Sequence, residues 1–143
     1  MSEERKFNCV LLVDDNEGMN ELNEIYLEEA AAARQIISVN SASEALDFLM
    51  KNTCKQRTGE KLVPDLIFLD INMPAMTGFD FIEAYKLMDC PEKKGILIYM
   101  LSSSLNPDDH IRAEKIDEVK GFISKPLSVE VIVDIIRQHR STG

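Results

Sequence analysis

A chain of 143 residues is long enough for one domain with a real core and too short for two ordinary ones. Its 45% hydrophobic and 29% charged residues, with few Pro and Gly, are those expected of a soluble globular protein. A net charge of -9 argues against a nucleic-acid binder, whose affinity rests on Lys and Arg neutralising phosphates; a divalent cation or a basic protein patch is the easier partner.

Residues 9–13 are a short continuous apolar run, the pattern of a strand buried on both faces of a parallel sheet, and the run ends in Asp14 and Asp15. From Glu17 onward, Met19, Leu22, Tyr26, Ala30 and Ala33 recur at helical spacing and predict an amphipathic helix with that stripe turned inward. Residues 35–39 are β-branched enough for a second strand. Ser41 with Glu44 is a capping box opening a helix that buries Ala42, Ala45, Leu46 and Leu49. Residues 51–63 lose periodicity and predict a long surface loop.

Residues 65–69 predict the third strand, and Asp70 ends its apolar run just before Pro74 and Gly78 break regular structure. A helix from about Gly78 carries Phe81, Ile82, Tyr85 and Met88 on its buried side. Residues 96–101 make a fourth strand that runs into Ser102, Ser103 and Ser104. Asn106 and Pro107 open a helix over 107–116 whose apolar face is only Ile111, Ala113 and Ile116, so it is loosely held. Residues 119–123 form a fifth strand leading to Lys125 and Pro126, and Ser128 caps a last helix. That helix buries Val129, Ile132, Val133 and Ile136, with Val131 and Ile135 left as an extra apolar strip for a partner.

Strands alternating with helices predict a doubly wound α/β fold, and the chain shows no internal repeat or domain boundary. Cys9, Cys54 and Cys90 have no paired spacing and are read as free thiols in a reducing compartment. The N-terminus lacks an apolar signal core and no apolar run is long enough to span a bilayer, so a cytoplasmic location without membrane contact is expected. His110 and His139 are expected to be solvated surface residues.

Right-handed crossovers put the carboxyl ends of all parallel strands on one side, where ligands gather in open α/β sheets. Asp14, Asp15, Asp70, Ser102 and Lys125 therefore converge. Carboxylates brought together repel unless a cation lies between them, and Mg2+ favours such oxygen ligands, held by one or two carboxylates plus a phosphate. Taken singly, an Asp after a strand is most often a turn former and Asp-Asp before a helix an N-terminal cap; at successive strand ends together they read as one site with Asp70 as nucleophile.

Over about residues 7–140 these motifs resemble the response-regulator receiver domain of two-component signalling. The resemblance implies a flavodoxin-like five-stranded sheet in the order 2-1-3-4-5, with residues 1–143 forming a single receiver domain. It places the acid pair on Asp14 and Asp15, the phosphoacceptor on Asp70, and a metal-binding main-chain carbonyl on Asn72. The switch hydroxyl falls on Ser102, the switch aromatic on Phe122, and the phosphate-binding lysine on Lys125, with Pro126 expected cis. Departures are Ser103 where the family usually has Ala, a longer loop at 51–63, and Phe122 in place of the commoner Tyr, which leaves burial as the ring's only lever.

By that resemblance Asp70 takes a phosphoryl group from a phosphohistidine on a sensor histidine kinase or histidine phosphotransfer protein, with Mg2+ as cofactor. Ser102 and Phe122 then remodel the surface of the fourth helix, fifth strand and fifth helix toward a downstream protein, a phosphorelay, or a homodimer partner. Asn72 and Ser104 flank the approach of the hydrolysing water. With nothing past about residue 140 to act as an output domain, signalling is expected to end in a protein contact, and the only chemistry is self-phosphorylation and self-dephosphorylation. The rival from another class is an aspartyl-nucleophile phosphohydrolase of the haloacid dehalogenase type, which wants an Asp general acid two residues past the nucleophile, where this chain has Asn72.

Overall fold

A computed structural model describes residues 7–54, 62–103 and 106–140. Five strands, β1 (Phe7–Val13), β2 (Ala33–Val39), β3 (Leu66–Asp70), β4 (Leu97–Ser102) and β5 (Val119–Ser124), pair all-parallel in the order β2-β1-β3-β4-β5. Helices α1 (Glu17–Glu29), α2 (Ala42–Phe48), α3 (Gly78–Leu87), α4 (Pro107–Glu114) and α5 (Val129–Arg140) connect and follow them. This is the expected doubly wound, flavodoxin-like sheet.

The continuous apolar runs alternate their side chains between two cores, as the period of a strand requires. Leu11, Val13, Ile67, Leu69, Ile98 and Met100 face one way and pack with Ala45 of α2, Phe81, Ile82 and Tyr85 of α3, and Ala113 of α4. Val10, Leu12, Leu66, Phe68, Tyr99 and Leu101 face the other way and meet Leu27 of α1 and Ile132, Ile135 and Ile136 of α5. Each such side chain contributes roughly 1.5–3 kcal/mol by leaving water. The central position of β3 explains why its whole run, including Asp70, is buried.

Several local expectations are corrected. The buried seam of α1 is Asn20, Asn23 and Leu27, with Met19, Leu22, Tyr26 and Ala30 only half-buried beside it. Ala33 belongs to β2, because α1 ends in a Schellman turn: the Ala32 N–H bonds the Leu27 carbonyl and the Ala31 N–H bonds that of Glu28. Residues 51–54 are not loop; a π-helical turn, Leu49–Cys54, continues α2. In α2 the Ser41 hydroxyl accepts from the Glu44 N–H, but the Glu44 carboxylate reaches back to the Asn40 N–H instead of that of Ser41.

Ile135 is buried and Val131 packs against the same core, so the extra strip on α5 is not a free face. His139 is half-buried and shares a 2.8 Å hydrogen bond with the Tyr99 hydroxyl, against its expected solvation. Cys54 and Cys90 form a disulfide across a separation of 36 residues, with Cα atoms 5.2 Å apart. Of the three thiols only Cys9 is free, buried in β1 and pushed up to about 11 by desolvation and by the nearby Asp65. Linear spacing could not show this pairing; the π-helical turn brings Cys54 to the residue that opens the 3-10 turn Pro91–Gly95. The cysteine count therefore carries no argument about compartment. Among the described residues, no helix is long and apolar enough to cross a membrane.

Candidate functional site

The strand registers bring four chain segments flush at the carboxyl edge. Val13 pairs with Leu69, Asp70 with Leu101, and Ser102 with Ser124. Asp14 follows β1 directly, and its N–H continues the ladder to the Val39 carbonyl at 3.2 Å. Lys125 follows β5, and its N–H donates to the Ser102 carbonyl at 2.9 Å. The Lys125-Pro126 peptide is cis, as expected.

The side chains meet as the strand ends dictate. Lys125 Nζ lies 2.8 Å from Asp14 Oδ2 and 3.0 Å from Asp70 Oδ1, with both carboxylates almost wholly buried. Asp14 Oδ1 accepts from the Asn16 N–H at 3.0 Å, and Asp70 Oδ1 accepts from the Asn72 N–H at 3.3 Å. One carboxylate oxygen from each of Asp14, Asp15 and Asp70 lies within 4.8 Å of the others, so the predicted acid cluster is assembled. Asp15 and Asn72 are exposed at its mouth, whereas Ser102 is buried at the end of β4.

Asp70 Oδ2 is buried and has no hydrogen-bond partner among the described residues. One oxygen of this carboxylate is held by lysine and amide, and the other is unclaimed. Burial pushes the Asp70 carboxyl up to about 6 from 3.8; the Lys125 hydrogen bond opposes the shift and the Asp14 charge adds to it. Burial alone would lower the Lys125 ammonium, but its hydrogen bonds to Asp14 and Asp70 outweigh that and hold it above its ordinary value. One lysine leaves three carboxylates under-neutralised. Together with the orphaned Asp70 oxygen, this all-oxygen donor set fits a hard divalent cation.

Phe122 on β5 is half-buried, packs against the core behind Met100, and stacks on the His110 ring of α4 at 4.9 Å. Ser104 lies outside the described residues. Sequence reasoning missed two features around the acids. Gly78 was taken as a breaker only, yet a Cβ there would come within 2.6 Å of the Asp70 carbonyl oxygen and 2.9 Å of Ile71 Cα, so only glycine lets α3 start against the β3 end. Asn20 and Asn23 were passed over in favour of the apolar stripe beside them; the available signal was two amides three residues apart in a helix otherwise expected to bury hydrocarbon.

A doubly wound parallel sheet with three carboxylates and a lysine at its carboxyl edge defines an α/β domain whose ligand crevice offers oxygen donors that fit a cation. The response regulator receiver domain profile matches residues 10–137, and the chain belongs to that family. It is 31% identical over 120 residues to the two-component response regulator ORR1 of Oryza sativa subsp. japonica, covering 82% of this chain and 49% of that protein. The chain thus spans about half the length of that relative. Against sporulation initiation phosphotransferase F of Bacillus subtilis it is 26% identical over 131 residues, 91% of each chain. The crystal structure of a two-component response regulator from Cytophaga hutchinsonii superposes with a TM-score of 0.84 at 32% identity, covering 97% of this chain and 100% of that one. The chain is a receiver domain of the two-component type; the phosphohydrolase alternative finds no support in these relationships.

Proposed function

We propose that this chain works as a single receiver domain in which Asp70 takes a phosphoryl group from the phosphohistidine of a histidine kinase or histidine phosphotransfer protein. The observation that carries the reading is the buried Asp70 Oδ2 without a partner among the described residues, on a carboxylate whose other oxygen is fixed by Lys125 and the Asn72 N–H. In the transfer, an Asp70 oxygen forms the new P–O bond while the P–N bond to imidazole breaks. The electron pair stays on the imidazole nitrogen, which takes up a proton from solvent.

Asp15, Asp70 and the Asn72 carbonyl, with Asp14 supporting, are the residues that would hold Mg2+. When bound, that ion neutralises charge on the transferring phosphoryl oxygens. Lys125 already bridges Asp14 and Asp70 and supplies a compact positive charge to the incoming group. Ser102 sits at the end of the neighbouring strand to donate its hydroxyl to a phosphoryl oxygen. Its inward draw frees space for Phe122, whose rotation remodels the α4–β5–α5 surface offered to a downstream protein or a second copy of the chain. Asn72, an amide where a phosphohydrolase carries its acid, slows hydrolysis, so the domain stores the group and has no turnover beyond its own phosphorylation and dephosphorylation.

Incubation with acetyl phosphate and Mg2+, read by intact mass, tests this. One phosphoryl adduct is expected on wild type and none on Asp70→Asn. Equal labelling of both moves the nucleophile elsewhere, and steady release of phosphate from small esters revives the phosphohydrolase.

A further inference from the structure

The two asparagines on the buried seam of α1 are spent asymmetrically. Among the described residues Asn20 uses only its amide N–H group: Nδ2 donates to the Asp14 carbonyl at 3.1 Å, to the Val39 carbonyl at 3.2 Å and to the Asn40 side chain at 3.4 Å, while its Oδ1 is buried without a partner there. Asn23 uses only its oxygen: Oδ1 accepts the Leu127 N–H at 3.2 Å across 104 residues of sequence, and its Nδ2 is buried without a partner among the described residues. Their residues are 3% and 1% exposed, so neither amide is turned to bulk water.

A half-satisfied buried amide is a poor choice for holding a helix on a sheet, since an apolar side chain there would leave nothing unpaired. Leu27, one turn on in the same seam, does that task. What the amides alone provide is a grip on backbone. Asn20 ties together the ends of β1 and β2 at the carbonyl of Asp14 itself. Asn23 ties down the turn two residues past Lys125.

We propose that Asn20 and Asn23 are positioning residues for the phosphoryl-transfer site, Asn20 setting the acid pair and Asn23 setting Lys125. The inference rests on the receiver reading and adds a division of labour to it: one amide acts through the carboxylates that face a cation, the other through the lysine that faces phosphate. Mere structural residues would show no such split.

The test uses the full chain and two separate readouts: Mg2+ alone titrated by NMR shift, and the rate of adduct formation from acetyl phosphate at saturating Mg2+. Asn20→Ala should weaken Mg2+ binding on the order of tenfold while keeping most of the saturated rate. Asn23→Ala should leave the Mg2+ midpoint near wild type and slow the saturated rate on the order of tenfold, with loss of exchange protection at the Leu127 amide. Asn23→Asp, which keeps an acceptor oxygen, should recover most of that rate. Leu27→Ala, which removes no hydrogen bond to either turn, should lower thermal stability and move neither readout.

If the Asn variants change stability alone, or if Leu27→Ala shifts the two constants as much as they do, the positioning role is refuted. Unfolding of both Ala variants would likewise assign the amides to the fold and overturn it. A wild type that neither binds Mg2+ nor labels at Asp70 fails the receiver reading instead, so the two failures are distinguishable.

Discussion

Replacing the central acid should make the metal-free protein more stable. Asp70 is 1% exposed, and its carboxyl stands at about 6 in the fold against 3.8 when free. At about pH 7.5 the folded protein carries an ionised group that it would rather protonate, first because of burial and then because of Asp14. At about 1.4 kcal/mol per unit, the strain approaches 3 kcal/mol, with the help from Lys125 and the Asn72 N–H already counted in the net shift. Asn is a neutral near-isostere of the protonated acid. In the presence of EDTA, Asp70→Asn should therefore unfold about 2–3 kcal/mol later than wild type, a rise of roughly 8–10 °C in Tm.

The sign fixes the pH dependence. Because the folded value lies above the unfolded one, the protonated acid's advantage is complete below about 3.8 and is lost as pH rises through about 6. Urea unfolding at about pH 5 and pH 7.5 should show the gap between variant and wild type widening at the higher pH. Added Mg2+ should close it by stabilising wild type alone. A variant less stable than wild type in EDTA, or a gap that ignores pH, would refute the claim that Asp70 is held against its own electrostatics.

Lys125→Ala should still accept phosphate but more slowly, and its phosphorylated NMR shift pattern should differ from wild type; an identical pattern would deny the lysine its role. Gly78→Ala forces a Cβ into the Asp70 carbonyl and Ile71, so it should cost about 2–3 kcal/mol by denaturant unfolding and slow labelling as β3's end is displaced. Ala31, at φ 51 in the Schellman turn, should gain roughly 1 kcal/mol on substitution by Gly without any change in labelling. Phe68→Ala in the centre of β3 should lose about 3–5 kcal/mol by the same unfolding measurement.

The candidate site was legible because its residues close apolar runs. A strand buried on both faces reads as unbroken hydrocarbon, so Asp14, Asp70 and Ser102 announce themselves where that run stops, and parallel topology brings the stops to one edge. What escaped was set by contacts without a linear period. The phase of α1 was misjudged because half-buried Met19, Leu22 and Tyr26 look like the seam, while the true seam carries two amides whose partners lie on other elements. Ile135 and His139 were misplaced likewise, since α5 is wrapped more deeply against Tyr99 than its own stripe suggests. The Cys54–Cys90 pairing depended on a π-helical turn that periodicity could not foresee.

Under the proposed function, those same contacts would give charge at Asp70 a route outward, with α4 the helix least fastened against it. Asp70 is paired with Leu101, whose neighbour Met100 is paired with Phe122, and the Ser102 carbonyl holds the Lys125 N–H. Every other helix is fastened by two or more fully buried apolar or amide side chains, whereas α4 buries Ala113 alone and leaves Ile111 half in water. Ring contacts add to that grip: His110 on Phe122, and the Arg112 guanidinium 4.1 Å from the centre of the Phe79 ring. Such contacts are worth about 0.5–1.5 kcal/mol each. A new phosphoryl charge exerting even a few kcal/mol on Ser102 and Lys125 exceeds what a turn of Phe122 away from His110 would cost, while the same force spread over α1, α3 or α5 would be absorbed by packing several times stronger.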